Sequence, residues 1–309
     1  MKTTSRALLA GFLVVCTVAA PAFADSDSFA PKPARLTQHV HLIDRPGGNS
    51  VVIEQSGGLV VVDAAESMPA GSCIVATIRT LSRKPVKYLI YPHYRGDHDP
   101  GVEPFVRAWP HLVIVSTDAG HADIADSPMD SIEAWERLKG ADLPPAIRAG
   151  WQQIADAGKK IVGGYRNVEA HLAALTFSDR LSIPDAETPV EVIFLGTADT
   201  GGDAVVWAPT EKVLYTGGLV VEPLSHAAAD PASWIAALDR IAAYDFAYLI
   251  PGHGQVQKDR AYLYKVKATL SRLHGEITAF AEKGAELADI YEQMDFESLI
   301  QSFGRAATD

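Results

Sequence analysis

Cysteine is scarce in this chain. Of its 309 residues only two are cysteines, Cys16 and Cys73, and Cys16 lies in an N-terminal segment that we expect to be removed on export. A mature chain with Cys73 alone cannot form an internal disulfide, although many exported proteins depend on such bonds. Hydrophobic residues make up 48% of the sequence, so we expect a large buried core to stabilise the fold instead.

Basic residues are also few. The 27 lysines and arginines are outnumbered by 38 aspartates and glutamates, which gives a formal net charge of -11. Proteins bind nucleic-acid phosphates through lysine and arginine patches, so this balance argues against a nucleic-acid partner. No low-complexity tract, long charge run or linker divides the chain. Residues 25–309 are therefore predicted to form one domain, as a single large unit or as two fused halves.

A long hydrophobic run occurs at the N-terminus, from Ala7 to Ala20. Lys2 and Arg6 precede it, and the small-x-small sequence Ala22-Phe23-Ala24 follows, which is the order of a cleavable signal peptide. The run is shorter than the ~20 residues that a membrane-spanning helix requires, so a membrane anchor is the weaker interpretation. We predict that residues 1–24 are a signal peptide and that the mature protein is periplasmic or secreted, with no membrane partner.

Strand-like runs and helical patterns alternate along the chain. The first half contains HVHLID, NSVVIEQ, GLVVVDA, a helical pattern over Pro69–Leu81 and the nearly continuous apolar run VKYLIYP. The second half contains LTFSDRLSI, EVIFLG, AVVWAP, KVLYTGG, a helix beginning at Asp230-Pro231, and FAYLI. Residues 128–163 are predicted to be a helical insertion, and C-terminal helices are predicted over about residues 258–302. The order predicts an α/β fold in which two sheets pack together between outer helical layers.

Two histidines and two aspartates lie close together in the segment YPHYRGDHDPG, residues 91–101. The segment follows a buried strand, and α/β folds place their chemistry at the carboxyl ends of such strands. His93, Asp97 and His98 are residue types that bind metal ions. Arg95, which lies between them, stays protonated and has no lone pair, so it cannot be a ligand.

Three further polar loops follow predicted strands. Asp63 ends the run GLVVV, Asp199 lies in GTADTGGD, and His253 lies in PGHG. Taken singly, these features have ordinary explanations: a strand-end turn residue for Asp63 and a proline-glycine turn around His253. A solvated surface loop would equally explain the histidines of residues 91–101.

Taken together and in this order, the four loops resemble the motifs of the metallo-β-lactamase superfamily. That pattern is a strand ending in Asp, then His-x-His-x-Asp-His, Gly-x-x-His-Thr-x-Gly-(Asp/Ser), Thr-Gly-Asp and Pro-Gly-His-Gly. The counterparts here are Asp63, HYRGDH at 93–98, GTADTGGD at 196–203, TGG at 216–218 and PGHG at 251–254. The resemblance extends from about Asn49 to Gly254. It implies a four-layer αββα sandwich with a metal site at one edge, between the sheets.

The resemblance also implies which residues bind a metal. In two-zinc members the second metal takes the positions of Asp97, His98 and His253, and all three are present here. One carboxylate and two imidazoles match the three protein ligands of a catalytic zinc, which leaves a position open for water or substrate. We therefore expect one Zn²⁺ at these residues. The position of the aspartate that bridges two metals is Gly218.

The first metal of two-zinc members takes the positions of His93, Arg95 and Asp199, of which His93 alone is a histidine here. A zinc held by His93 and Asp199 would have too few protein ligands. If Arg95 and Asp199 face each other, a guanidinium fork on a carboxylate would replace that metal with a paired cation. Asp63 is expected to orient the motif loop by hydrogen bonding. For His93, contact with the substrate or its water and a loop-stabilising role both stay open.

The resemblance implies an exported zinc-dependent hydrolase with one metal, acting on a small-molecule substrate of the amide or ester type. The candidate catalytic residues are Arg95, His93 and Asp97, with Arg95 stabilising negative charge on the substrate. The motif that contains arginine is similar to that of a variant class of β-lactamases, so β-lactam hydrolysis is the specific prediction. An exported hydrolase of lactones, esters or thioesters is an alternative.

A non-catalytic binding or accessory protein on a degenerate fold is a second hypothesis, motivated by the altered first-site positions. A scaffold without metal would have no reason to keep Asp97, His98 and His253, so the enzyme is favoured. His226, in VEPLSH, lies where such folds line the pocket, but we favour an exposed loop residue there. The oligomeric state is left open.

Overall fold

A computed structural model describes residues 31–45, 47–93, 101–126, 148, 152, 172–222, 230–285, 290, 293 and 294. The strands are β1 (Lys32–Arg35), β2 (Val40–Asp44), β3 (Ser50–Gln55), β4 (Gly58–Val62), β5 (Val86–Ile90), β6 (Val113–Thr117), β7 (Leu175–Phe177), β8 (Arg180–Ile183), β9 (Val190–Phe194), β10 (Ala204–Ala208), β11 (Val213–Gly217) and β12 (Tyr248–Pro251). The longer helices are α1 (Met68–Leu81), α2 (Glu103–Ala108), α3 (Asp118–Asp126), α4 (Pro231–Ala242) and α5 (Ala261–Glu282).

The strands form two sheets. The first has seven strands in the order β1-β2-β3-β4-β5-β6-β7, and the second has five in the order β12-β11-β10-β9-β8. Strands β1 to β4 pair antiparallel, whereas β4 to β7 pair parallel. In the second sheet the pair β11 and β12 is parallel and the remaining pairs are antiparallel. Asp63, His93 and His253 follow the parallel strands β4, β5 and β12 at their carboxyl ends, whereas Asp199 follows the antiparallel strand β9.

Three apolar clusters define the layers. One contains inward-facing residues of both sheets, such as Val51 and Val206, and therefore lies between them. A second joins the other face of the first sheet to α1 and α2, and a third joins the other face of the second sheet to α4 and α5. Alternation along each strand produces this division, because successive side chains point to opposite faces. The four-layer αββα sandwich is confirmed.

The helices on either side begin where their sequences predict. Ser67 caps α1 by accepting a hydrogen bond from Ala70 N–H at 3.4 Å, and the buried stripe includes Ile74 and Ile78. At α4 the carboxylate of Asp230 accepts from two backbone N–H groups of the first turn. Serine and aspartate caps satisfy N–H groups that have no partner within the helix.

The run LTFSDRLSI was predicted to form one strand, but it forms two. Residues 175–177 form β7, which pairs parallel with β6 in the first sheet, whereas residues 180–183 form β8, which pairs with β9 in the second. The chain changes sheets at Ser178-Asp179, yet Phe177 and Ile183 both reach the apolar cluster between the sheets. A strand and a sheet crossover have the same alternating pattern, so the sequence did not distinguish them.

Some predicted segments fall outside the described residues. The signal peptide (1–24) is among them, as is nearly all of the helical insertion over 128–163. Within the ranges that the structure describes, no helix combines the length and the apolar character needed to cross a membrane.

Candidate functional site

The loops of the predicted site lie at one edge of the sandwich. Asp63 follows β4, His93 follows β5, Asp199 lies between β9 and β10, and His253 follows β12. Because β4 is parallel to β5 and β11 is parallel to β12, their carboxyl ends lie at the same edge of each sheet.

Backbone hydrogen bonds join the two sheets at this edge. The Ala204 N–H, at the start of β10, donates to Pro92 O at 2.8 Å, next to His93. The Asn49 N–H, before β3, donates to Gly252 O at 2.8 Å, next to His253. These contacts bring residues from distant parts of the sequence to one edge of the sandwich.

His93 and Asp199 converge on Gly218, directly after β11. A Cβ atom built on Gly218 would lie 2.7 Å from Asp199 Oδ2 and 3.0 Å from His93 Nε2, so both polar atoms face this glycine. Only 2% of His93 and 3% of Asp199 are exposed. Glycine at position 218 therefore leaves space that a larger side chain would take from the imidazole and the carboxylate.

Asp63 is fully buried and has the left-handed backbone conformation, with φ of 78°. Its Oδ1 accepts a hydrogen bond from Ala65 N–H at 2.8 Å, and its Oδ2 lies 3.2 Å from the Tyr215 hydroxyl of the second sheet. The guanidinium of Arg45 is 4.0 Å from Oδ1. Asp63 therefore caps a strand-end turn and also contacts the opposite sheet, and its role in orienting the motif loop stays a prediction.

The loop that carries Asp199 is attached to the first sheet. The Thr117 hydroxyl, at the end of β6, donates to Gly202 O at 3.0 Å and accepts from Gly120 N–H at 2.8 Å. A Cβ on Gly202 would lie 2.3 Å from Gly120 N, so the two glycines touch. Within the loop, Thr200 N–H donates to Asp203 Oδ2 at 2.7 Å.

The N-terminus of α4 supports the other side of this loop. Asp230 N–H donates to Ala198 O at 3.2 Å. The Ser233 hydroxyl donates to the Asp230 carboxylate, as do the backbone N–H groups of Ser233 and Ala232. These bonds hold the pKa of Asp230 below its usual value near 3.8, against the opposing effect of burial. The cap is therefore ionised at neutral pH.

His253 is held from two directions. Its carbonyl accepts a hydrogen bond from Glu222 N–H at 2.9 Å. On its other side Gly48, with φ of 124°, approaches the ring so closely that an added Cβ would lie 3.2 Å from His253 Cε1. The ring therefore lies against the β2–β3 loop of the first sheet.

Arg95, Asp97 and His98 lie in residues 94–100, and His226 lies in residues 223–229; both segments are outside the described residues. The structure thus brings His93, Asp199, Asp63 and His253 to one edge of the sandwich, and the predicted roles of all eight residues stay predictions.

Comparison with protein families agrees with this arrangement. Residues 43–253 match the model of the metallo-beta-lactamase superfamily, a span that runs from β2 to His253 and includes every predicted site residue. The chain belongs to the metallo-β-lactamase superfamily. Members of this superfamily with known activities are generally hydrolases.

Individual relatives are distant. The chain is 24% identical over 266 residues to a linear primary-alkylsulfatase of Pseudomonas sp., a match that covers 79% of this chain and 49% of the relative. The chain therefore spans about half the length of that relative. A metallo-beta-lactamase type 2 of Bacteroides fragilis is 29% identical over 85 residues, which is 25% of this chain and 34% of that protein.

A solved structure shares the fold. The metallo-beta-lactamase from Pontibacter korlensis superposes with a TM-score of 0.59 at 18% sequence identity. The match covers 78% of this chain and 99% of that one. At this identity the likeness concerns the fold alone.

Superfamily membership implies a metal, typically zinc, and the described residues permit a test of the fit. Imidazole nitrogen and carboxylate oxygen are donors that zinc accepts, and His93 Nε2 and Asp199 Oδ2 both border the space over Gly218. Within the described ranges, no group of three or more His, Cys, Asp or Glu side chains is placed to hold a metal ion. Two of the three proposed ligands lie outside those ranges. The residue types of the proposed ligands, one carboxylate and two imidazoles, are donors that zinc accepts, while the placement of Asp97 and His98 stays a prediction.

Sequence reasoning missed the residues that fasten the site together. Asn49, Tyr215 and Arg45 are all buried around it, yet none belongs to a motif loop. A buried arginine and a buried asparagine are unusual enough to indicate specific partners. Arg45 and Asn49 lie in the segment RPGGN, which is typical of a turn, and Tyr215 lies in VLYTGG, which is typical of a strand. No local sequence signal therefore pointed to the site.

Proposed function

We propose that this protein is an exported, zinc-dependent hydrolase that uses one metal ion and cleaves a small amide or ester-type substrate. β-Lactam hydrolysis is the specific activity proposed. The observation that carries the proposal is the convergence of His93 Nε2 and Asp199 Oδ2 on Gly218, beside the loop of His253. Buried polar groups facing one small space at a sheet edge are typical of a catalytic site.

Asp97, His98 and His253 would hold the zinc. When bound, the metal would polarise the bond to be cleaved and make water a better nucleophile. The loop hydrogen bonds around His253 support this role, because they fix the backbone that carries the imidazole. Asp63 would support the neighbouring loop in the same way, since its carboxylate is held from both sheets.

Asp199 and Arg95 would form the ion pair that replaces the second metal. Asp199 is 3% exposed, and a buried carboxylate is costly unless a cation or hydrogen-bond donors neutralise it. Asp199 lies next to Gly218, the position of the bridging aspartate. An aspartate there would add a second carboxylate beside Asp199, whereas glycine adds none. This supports the proposal, because a single carboxylate can be neutralised by one arginine. Arg95 would also bind the negative charge that develops on the substrate, and His93 would orient the substrate or its water.

Hydrolysis of sulfate esters is a second candidate. The match to the linear primary-alkylsulfatase extends over 79% of this chain, whereas the match to the Bacteroides fragilis metallo-beta-lactamase extends over 25%. An arginine in the site would suit an anionic sulfate group, because guanidinium groups bind oxyanions through paired hydrogen bonds. A binding protein without catalysis is the further alternative, motivated by the altered first-site positions.

Metal content and turnover test these candidates together. The purified mature chain, residues 25–309, is expected to hold one zinc and to fold as one domain. Turnover would be measured on β-lactams, primary alkyl sulfates and simple esters, before and after chelation and after zinc is restored. His253→Ala should abolish turnover, whereas the exposed His111→Ala should retain it.

Each outcome has a distinct meaning. Turnover of alkyl sulfates but not lactams would replace the first substrate class with the second. Absence of both zinc and turnover would favour the binding protein. Two tightly held zincs would contradict the proposed Arg95 and Asp199 pair. The double variant Arg95→His with Asp199→His should raise the zinc content to two per chain. A content that stays at one would show that these residues do not occupy the positions of the first metal. Fractionation of cells that express the full chain would test export.

A further inference from the structure

Asn49 donates hydrogen bonds to three of the four backbone carbonyls of the Pro251-Gly252-His253-Gly254 loop, while the Gly252 N–H donates to Gly217 O at 2.9 Å in the second sheet. The Asn49 side-chain amide donates to Pro251 O and to Gly254 O, each at 2.9 Å. The Asn49 backbone N–H donates to Gly252 O at 2.8 Å. The remaining carbonyl, that of His253, accepts from Glu222 N–H at 2.9 Å. Every carbonyl of the loop is therefore satisfied, three of the four by one residue from the opposite sheet.

The chemistry of asparagine suits this task. Its amide nitrogen carries two hydrogens, and both are used here on carbonyls that lie on either side of His253. Asn49 is 1% exposed, so water is not available to replace lost hydrogen bonds, and each unsatisfied carbonyl would be costly. The side chain of alanine has no hydrogen-bond donor, and that of serine has one, so neither can replace both bonds of the Asn49 amide.

The same segment also contacts the His253 ring. Gly48 adopts φ of 124°, and a Cβ there would lie 3.2 Å from His253 Cε1. Backbone and side chain of His253 are thus both confined by residues 48 and 49, at the end of the loop between β2 and β3.

Asn49 is connected to Asp63 through Tyr215. The Tyr215 hydroxyl lies 3.2 Å from Asn49 O and 3.2 Å from Asp63 Oδ2. All three residues are buried, Tyr215 and Asn49 at 1% exposure and Asp63 at 0%. A phenol has one proton to donate, so it binds one oxygen at a time and lies within reach of both. The link spans both sheets.

We propose that Asn49 is a positioning residue that fixes the loop of His253 in the site, next to a Tyr215 hydroxyl that lies within reach of both Asn49 and Asp63. The inference rests on the proposed function in one respect, namely that His253 is a zinc ligand. Loss of the outer partners of a ligand typically lowers metal affinity about 10- to 100-fold, and Asn49 would act in this way on the backbone that carries His253 rather than on its ring.

Gln55 provides a matched control at the other end of the same strand. Its side-chain amide also donates to two backbone carbonyls of the opposite sheet's loops, Thr188 O at 2.8 Å and Ile183 O at 3.4 Å, and it is 7% exposed. Asn49→Ala and Gln55→Ala each remove two such bonds. Both should lower the free energy of unfolding, but the Gln55 site lies away from His253.

Affinity for Zn²⁺ alone, measured by competition with a chromophoric chelator, should fall about 10- to 100-fold in Asn49→Ala and stay at the wild-type value in Gln55→Ala. The Zn²⁺ affinity of Asn49→Ser, which keeps one side-chain donor, should lie between those of the wild type and Asn49→Ala. If the alanine variant does not fold, the serine variant is compared with Gln55→Ala instead. An equal loss of affinity in both alanine variants, or no loss in either, would overturn the proposal.

Ring resonances of His253 give a readout that needs no metal. In metal-free protein at a pH where imidazole is neutral, they would be assigned by their absence in His253→Gln and compared among variants. They should move in Asn49→Ala and Asn49→Ser but not in Gln55→Ala. If the wild type takes up no zinc, the proposed function fails, and these resonances decide the positioning role separately. Resonances that stay unmoved in Asn49→Ala refute it.

Discussion

The substitution of glycine by alanine is expected to have opposite effects at two helical positions, Gly71 in α1 and Gly275 in α5. Alanine is favoured over glycine within a helix by about 1 kcal/mol. A Cβ at Gly275 would have no atom within 4 Å. Gly275→Ala should therefore raise the free energy of unfolding by about 0.5–1 kcal/mol.

At Gly71 the added atom would collide with the backbone. Its Cβ would lie 2.0 Å from Gly101 O and 2.8 Å from Gly101 C, whereas ordinary contacts begin near 3.4 Å. Gly101 has little freedom to move, because its N–H donates to Ala65 O at 2.9 Å. Overpacking typically costs about 1–3 kcal/mol, and a contact of 2.0 Å with backbone calls for the upper part of that range, so after the helix gain Gly71→Ala should lower the free energy of unfolding by about 1–2 kcal/mol.

The collision should also affect turnover. Gly101 is the first described residue after the segment that carries Asp97 and His98, so a shift of its backbone would displace one end of that segment. Urea unfolding of the wild type and both variants would measure the stabilities, provided that the slope with urea is unchanged. If Gly71→Ala proved as stable as the wild type, the close contact between α1 and Gly101 would be refuted, and with it this reasoning.

Three other perturbations test the surroundings of the site. Gly218→Ala would place a Cβ 2.7 Å from Asp199 Oδ2, so a loss of about 1–3 kcal/mol in urea unfolding and of turnover is expected; full turnover would contradict the convergence on this glycine. Because the folded pKa of Asp230 is lowered, its ionised form stabilises the fold above the unfolded pKa, and this stability is lost as pH falls through the folded pKa. Asp230→Ala should therefore cost about 0.5–2 kcal/mol at neutral pH, with a difference from wild type that shrinks in acid; a constant difference down to strongly acidic pH would argue against the ionised cap. Arg45 Nη1 donates to Glu66 Oε2 at 2.6 Å, with side-chain exposures of 1% and 14%, so Arg45→Met should cost about 3 kcal/mol in thermal or urea unfolding. Adding Glu66→Leu should recover part of it, and strictly additive losses would show that the pair is not coupled.

Much of the fold follows from local patterns. The strands in runs such as GLVVV and EVIFL were predictable from their β-branched and apolar residues, and alternation along them places one set of side chains between the sheets and the other set against the helices. The start of α4 was predictable because a cap such as Asp230 and a first-turn proline such as Pro231 act within a few residues. The crossover inside LTFSDRLSI was not, because a strand that changes sheets keeps the same alternation on both sides of the turn.

The candidate site divides in a similar way. His93, Asp63 and His253 were identified because each belongs to a short motif after a strand, and the structure brings them with Asp199 to one edge of the sandwich. The placement of Arg95, Asp97 and His98 stays a prediction, since these residues lie outside the described ranges.

The amino-acid sequence by itself determined the alternation of the strands, the helix caps and the motif residues, because each depends on neighbours along the chain. Tertiary structure alone decided that Asn49 holds the loop of His253, through a hydrogen bond between residues 202 positions apart. It also decided that His93 and Asp199 meet over Gly218. Side chains so distant in sequence acquire a common site only when the burial of apolar faces packs the two sheets together, and no local pattern records which polar groups then become neighbours.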